Sequence, residues 1–107
     1  MEFKTIAEMQ AEFGKSARTF RFWEGKGLIS PRREGLQRLF SEHDCQRVRL
    51  ILEYQDLGFS NSEIFSKLSV NDREVYVTPG EATRLIKRLE REVAPLMEKL
   101  ARLRHHL

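Results

Sequence analysis

Apolar residues recur along this chain at helical intervals, interrupted at regular points by glycine, proline and small polar residues. Ile6, Met9 and Phe13 lie on one helical face, and Thr5 with Glu8 has the spacing of a capping box, which predicts a helix over about residues 6–12 ending at Gly14. Ser16 then caps a second helix to about Glu24, with Ala17, Phe20 and Trp23 or Glu24 facing inward. Pro31 ends any helix and biases Ser30 toward an extended backbone. The following Arg32-Arg33-Glu34-Gly35 reads as a turn, and Leu36-Gln37-Arg38-Leu39-Phe40 as a short returning strand. A ribbon this small needs tacking to the helices, a role suited to Leu28, Leu39 and Phe40.

Ser41 with Asp44 opens a third helix, whose inner stripe is read as Val48, Ile51, Leu52 and Gln55, and Gly58 closes it. Ser60 with Glu63 opens a fourth, apolar at Ile64, Phe65 and Leu68. Residues 70–77 read as a linker, since Val75-Tyr76-Val77 has strand propensity but no partner. Thr78-Pro79-Gly80-Glu81 combines an N-cap, proline at the first helical position and glutamate at the third. From there Ala82, Ile86, Leu89, Val93, Leu96, Leu100, Leu103 and Leu107 alternate in steps of four and three, the a/d pattern of a helix that pairs through a narrow seam. Ile86, Leu89, Val93, Leu96, Leu100 and Leu103 are therefore the candidate dimerisation residues, on a helix about 45 Å long. Pro95 cannot donate to the Arg91 carbonyl and should bend or break that helix, leaving a short return segment beyond it.

Charge changes the picture in one place. Residues 14–40 carry seven Lys or Arg against Glu24 and Glu34, a net of +5, whereas the whole 107-residue chain carries +3. The positive charge is local, as a phosphate-binding surface requires. Lys15, Thr19, Phe22 and Lys26 fall in line along the second helix, flanked by Arg18 and Arg21. Two short helices joined by a tight glycine-containing turn are a helix-turn-helix candidate, and this is the face a recognition helix would push into a major groove. A basic ribbon with Arg32, Arg33, Gln37 and Arg38 follows, suited to the sugar-phosphate backbone or a minor groove. With Ser16 these are the candidate DNA-binding residues. A merely solvated basic face is the competing reading, and the adjoining ribbon weighs against it.

Other chemistries find little support. With Cys45 as its lone cysteine, the chain offers no internal disulfide and no Cys-x-x-Cys pair, and Cys45 reads as a small hydrophobe. His43, His105 and His106 are too scattered for a metal site, and no cofactor is expected. No nucleophile-base pair, paired carboxylates or phosphate loop suggests an enzyme. No apolar run long enough to span a membrane and no signal peptide is encoded, so a cytoplasmic location is expected.

Thr19-Phe20-Arg21-Phe22-Trp23-Glu24, Gly27-Leu28-Ile29, Pro31, Arg32-Arg33, Arg38-Leu39-Phe40-Ser41, Leu57-Gly58-Phe59-Ser60 and Glu63-Ile64 together resemble the mercury-resistance regulator (MerR) family of bacterial transcription factors. The resemblance implies a mostly α fold. Residues 1–69 would form a winged helix-turn-helix domain, 70–77 a linker and 78–107 an antiparallel coiled-coil dimerisation helix. It further implies a homodimer that binds a palindromic promoter site in double-stranded DNA and distorts it so that RNA polymerase sees both promoter elements. By motif position Thr19, Arg21 and Phe22 would touch DNA from the helix and Arg38 from the wing. Phe22-Trp23 replaces the usual Tyr-Tyr pair, and Leu36-Gln37 replaces the usual Gly-Tyr. The sequence gives no effector domain after the heptad helix and no cysteine near it, so metal or drug sensing is not implied. Two alternative readings are an architectural, excisionase-like DNA-bending protein, against which the long heptad helix counts, and a coiled-coil adaptor whose heptad helix recruits a protein partner.

Overall fold

The computed structural model describes residues 2–107 and consists of five helices and one two-stranded ribbon. The order is α1 (Ile6–Phe13), α2 (Ala17–Gly25), β1 (Arg32–Glu34), β2 (Gln37–Leu39), α3 (Glu42–Leu57), α4 (Asn61–Val70) and α5 (Pro79–Arg104). It divides into two compact units, one through Val75 and one from Tyr76 onward.

Local chemistry sets most boundaries. Thr5, Ser41, Ser60 and Thr78 each form a full capping box with the residue three positions on, satisfying two backbone N–H groups that a helix start leaves orphaned. Ser16 caps α2 by accepting the Thr19 N–H at 3.2 Å. Gly14 and Gly58 end α1 and α3 in the left-handed region, at φ 65° and 103°.

The ribbon corrects one expectation. Arg32–Glu34 is a strand and not a turn, with Arg33 opposite Arg38 and Glu34 opposite Gln37. The turn is Gly35-Leu36. Gly35 takes φ +62° while Leu36 does not have positive φ, the combination of a II′ hairpin loop. The ribbon is also extended: Lys4 and Phe40 exchange both backbone hydrogen bonds at 2.8 Å, tying the N-terminal segment to the end of β2. Leu28 and Phe40 are fully buried and anchor the ribbon, whereas Leu39 is half-buried.

The core of the first unit is aromatic. Phe20 meets Trp23 at 5.5 Å and Phe40 at 5.8 Å, both edge to face, and Tyr54 meets Phe59 likewise at 5.4 Å. Around them pack Met9, Leu28, Ile29, Val48, Ile51 and Ile64, all essentially without exposure. Truncating Phe20 or Trp23 to alanine would cost about 3–5 kcal/mol. On α3 the buried stripe is Cys45, Val48, Ile51 and Tyr54, with Leu50 beside it. Gln55, expected inside, is exposed and Leu52 is half-buried, because Tyr54 takes the inward place. Trp23, not Glu24, is the buried residue at the end of α2, and Phe65 on α4 is 45% exposed.

α5 runs unbroken through Pro95 to Arg104, against the expectation of a break and a return segment. One missing hydrogen bond does not end a helix whose neighbouring turns are rich in leucine, alanine, glutamate and lysine, all strong helix formers. Ile86, Leu89, Val93, Leu96, Leu100 and Leu103 all stand between 43% and 68% exposed.

Candidate nucleic-acid interface

The structure sets α2 between the ribbon and α4. Its inward side is fixed by buried Phe20 and Trp23, so the residues between them, Arg21 and Phe22, and those a turn away, Arg18 and Lys26, are left exposed. Arg18, Thr19 and Phe22 border a shallow depression shared with Gln55 of α3 and Asn61 at the start of α4. Phe22 and Lys26 border a second with Asn61, Ser62 and Phe65. Arg21 opens on the other side, toward Leu36, Gln37 and Arg38 of the ribbon. The sequence candidates are thus gathered around one helix. Lys15 is exposed just before its cap.

Several of these side chains are already engaged. The Thr19 hydroxyl lies 3.1 Å from that of Ser16, so both belong to the N-cap. The Lys26 ammonium sits 5.6 Å from the Phe22 ring centroid, and the Arg32 guanidinium 5.8 Å from that of Phe3, both within cation–π reach.

Glu24 is the residue that sequence reasoning missed. Arg38 donates from Nε to its carboxylate at 2.7 Å, and Arg33 donates to the same oxygen at 3.4 Å. One acid at the end of α2 thus gathers an arginine from each strand of the ribbon and fixes the ribbon against the helix. Burial works against ionisation of Glu24, but the hydrogen bond and charge of Arg38, seconded by Arg33, outweigh it and hold the carboxyl below its usual range. The Arg38 side chain is only 20% exposed, whereas that of Arg33 is 54% exposed. An acid among seven cations is the available signal; helical spacing offers Glu24 only as an alternative to Trp23 on the inward side and does not name the arginines it meets.

Asp72 was hidden in the presumed linker. It accepts from Arg47 at 3.2 Å and lies 2.6 Å from His43 Nε2, while Arg47 Nε also donates to the Leu28 carbonyl at 2.6 Å. Gln46 adds a bond to the Arg73 carbonyl at 3.0 Å. The segment after α4 is therefore stapled to α3, and α3 to the turn that leads into the ribbon. The hydrogen bond with His43 is the largest influence on Asp72, and together with Arg47 it outweighs the cost of burial and lowers the affinity of the carboxylate for a proton. Asp44 does similar work, capping α3 and accepting the Ser30 N–H at 3.0 Å, so the entry to the ribbon is tied to the third helix.

Cys45 is 1% exposed, with its sulfur 3.6 Å from that of Met9, and burial raises its thiol pKa. Among the described residues no group of three His, Cys, Asp or Glu is placed to hold a metal ion. No helix there is long and apolar enough to cross a membrane.

Comparison with known proteins agrees with this arrangement. The chain is 33% identical over 105 residues to heavy metal-dependent transcription regulator 2 of Rhizobium meliloti (strain 1021), which covers 94% of this chain and 71% of that one. It is 32% identical over 104 residues to the HTH-type transcriptional regulator ZntR homolog of Haemophilus influenzae, covering 95% and 76%. The fold is shared with HiNmlR, a MerR family regulator lacking the sensor domain whose structure was solved bound to promoter DNA. That match has a TM-score of 0.63 and 23% identity, over 98% of this chain and 87% of that one. Residues 4–69 match the MerR HTH family regulatory protein, the span that holds α1, α2, the ribbon, α3 and nearly all of α4, and the chain belongs to that family.

Proposed function

We propose that this chain is a homodimeric, sequence-specific DNA-binding regulator of transcription that binds a palindromic promoter site and distorts it. The observation that carries the reading is an exposed cationic helix face, Arg18, Arg21 and Lys26, flanked by a basic ribbon that Glu24 holds against the same helix. In this reading α2 enters a major groove, Arg32 and Arg33 lie along the adjacent backbone, and Arg38 serves mainly to aim the ribbon. The exposed apolar stripe of α5 offers the surface for a second copy, which a palindrome requires. The relatives' names and the promoter-bound neighbour support this assignment. RNA polymerase is the partner implied by the distortion of a promoter.

Gel-shift titration against genomic fragments and random duplex tests it. Arg21→Ala is expected to weaken binding to all sequences. Arg18→Ala is expected also to relax base preference, by about 1–3 kcal/mol at one position per half-site. Binding no tighter to any fragment than to random duplex would refute sequence specificity.

A further inference from the structure

The seam on α5 is apolar at every a and d position, so by itself it does not say which way a second copy lies, nor in what register. The flanking positions remove that freedom. With Ile86, Val93 and Leu100 at a, and Leu89, Leu96 and Leu103 at d, the g positions include Glu92 and Lys99, and the e positions include Glu90, Met97 and Arg104. Glu90, Glu92, Lys99 and Arg104 are all exposed. Among the described residues none of them is held in a salt bridge within its own chain. The flanks are thus acidic in the first half of the seam and basic in the second.

In a parallel pair each g residue faces the e residue of the following heptad. Lys99 would then oppose the partner's Arg104 on both sides, and Glu92 would oppose only Met97. In an antiparallel pair g faces g, and the acidic half of each helix lies along the basic half of the other. One register stands out, mirrored about the point between Ala94 and Pro95. It layers Val93 on the partner's Leu96, Leu89 on Leu100 and Ile86 on Leu103, and it sets Glu92 opposite the partner's Lys99 twice, once on each side of the dyad. A slip of one heptad in either direction instead brings Lys99 onto Lys99 or Glu92 onto Glu92. Pro95 falls at an outward-facing c position, clear of the seam.

We propose that reciprocal Glu92–Lys99 pairs between two copies of this chain fix the antiparallel orientation and the register of the α5 seam, with the dyad between Ala94 and Pro95. This rests on the homodimer reading above. Like-charge avoidance across a pairing surface is how such seams reject competing alignments.

The test is sedimentation equilibrium on the full chain and three variants, with circular dichroism as a check on helicity. Lys99→Glu places two like-charge pairs where two opposite pairs stood and is expected to raise the dimer dissociation constant about tenfold. Adding Glu92→Lys to it reverses both members and is expected to restore the wild-type constant, while Glu92→Lys alone weakens the dimer like Lys99→Glu. Tighter association of Lys99→Glu would mean a parallel pair, in which residue 99 gains the partner's Arg104. An unchanged constant for Lys99→Glu, or failure of the double variant to recover, would mean that the two residues do not meet. Either result overturns the register and leaves the homodimer standing. A wild-type chain that sediments as a monomer would overturn both.

Discussion

Replacing Glu24 by glutamine removes the charge that gathers the ribbon while keeping the size of the side chain. The Arg38–Glu24 contact is a charge-assisted hydrogen bond of 2.7 Å between side chains about one-fifth exposed, whereas the Arg33 contact is longer and its arginine is more than half exposed. A hydrogen bond to a charged group contributes about 1.5–3 kcal/mol when buried. Discounted for the remaining exposure, and with little added for Arg33, the Glu24–Arg38 pair should contribute about 1–2 kcal/mol. Trp23 is the only tryptophan and is buried beside Phe20, so its fluorescence during urea unfolding reports on the unit that holds the ribbon. A double-mutant cycle of Glu24→Gln and Arg38→Met at neutral pH should give a coupling of about 1 kcal/mol or more. Glu24 has a lowered pKa in the fold, so its ionised form is favoured there. The contribution is complete above the unfolded carboxyl's pKa and is lost as pH falls through the lower folded value. The coupling should therefore vanish in acid. Additivity at neutral pH within about 0.3–0.5 kcal/mol would refute the latch.

Other predictions follow from the same geometry. Asp72→Asn should release His43 and Arg47, speeding amide exchange across residues 70–75 at a stability cost of about 1 kcal/mol or less. In the wild type that protection should be lost only as acid protonates Asp72, whose proton affinity is lowered; exchange unaltered by the substitution would contradict the staple. Gly27 has φ +76° and lies where an added Cβ would come within 3.3 Å of the Phe65 ring, so Gly27→Ala should destabilise by about 1–2 kcal/mol in the same urea assay. Cys45 should resist a thiol reagent in the native protein and react on addition of denaturant; rapid native labelling would show that the α1–α3 contact opens.

The helix starts were legible in the sequence because a cap is a contract between residues three apart, settled by the chain before it folds. Thr5 with Glu8, Ser41 with Asp44, Ser60 with Glu63 and Thr78 with Glu81 all form as their spacing predicts. The a/d stripe of α5 was legible for the same reason, and so was the local excess of positive charge. The ribbon was half legible: its existence followed from Pro31 and Gly35, but the two-residue turn depended on pairing Glu34 with Gln37, which a count of turn-forming residues placed too early. What only the tertiary structure decided are contacts between residues far apart in the chain. Glu24 reaches Arg38 fourteen positions on, Asp72 reaches Arg47 and His43 across twenty-five and twenty-nine, and Tyr54 displaces Gln55 from the core by packing on Phe59. Periodicity and charge count can place a carboxylate on a helix or in a linker, but they cannot say which arginine it will meet. That choice is made when burial brings two partners together and leaves each less water than it needs to stay apart.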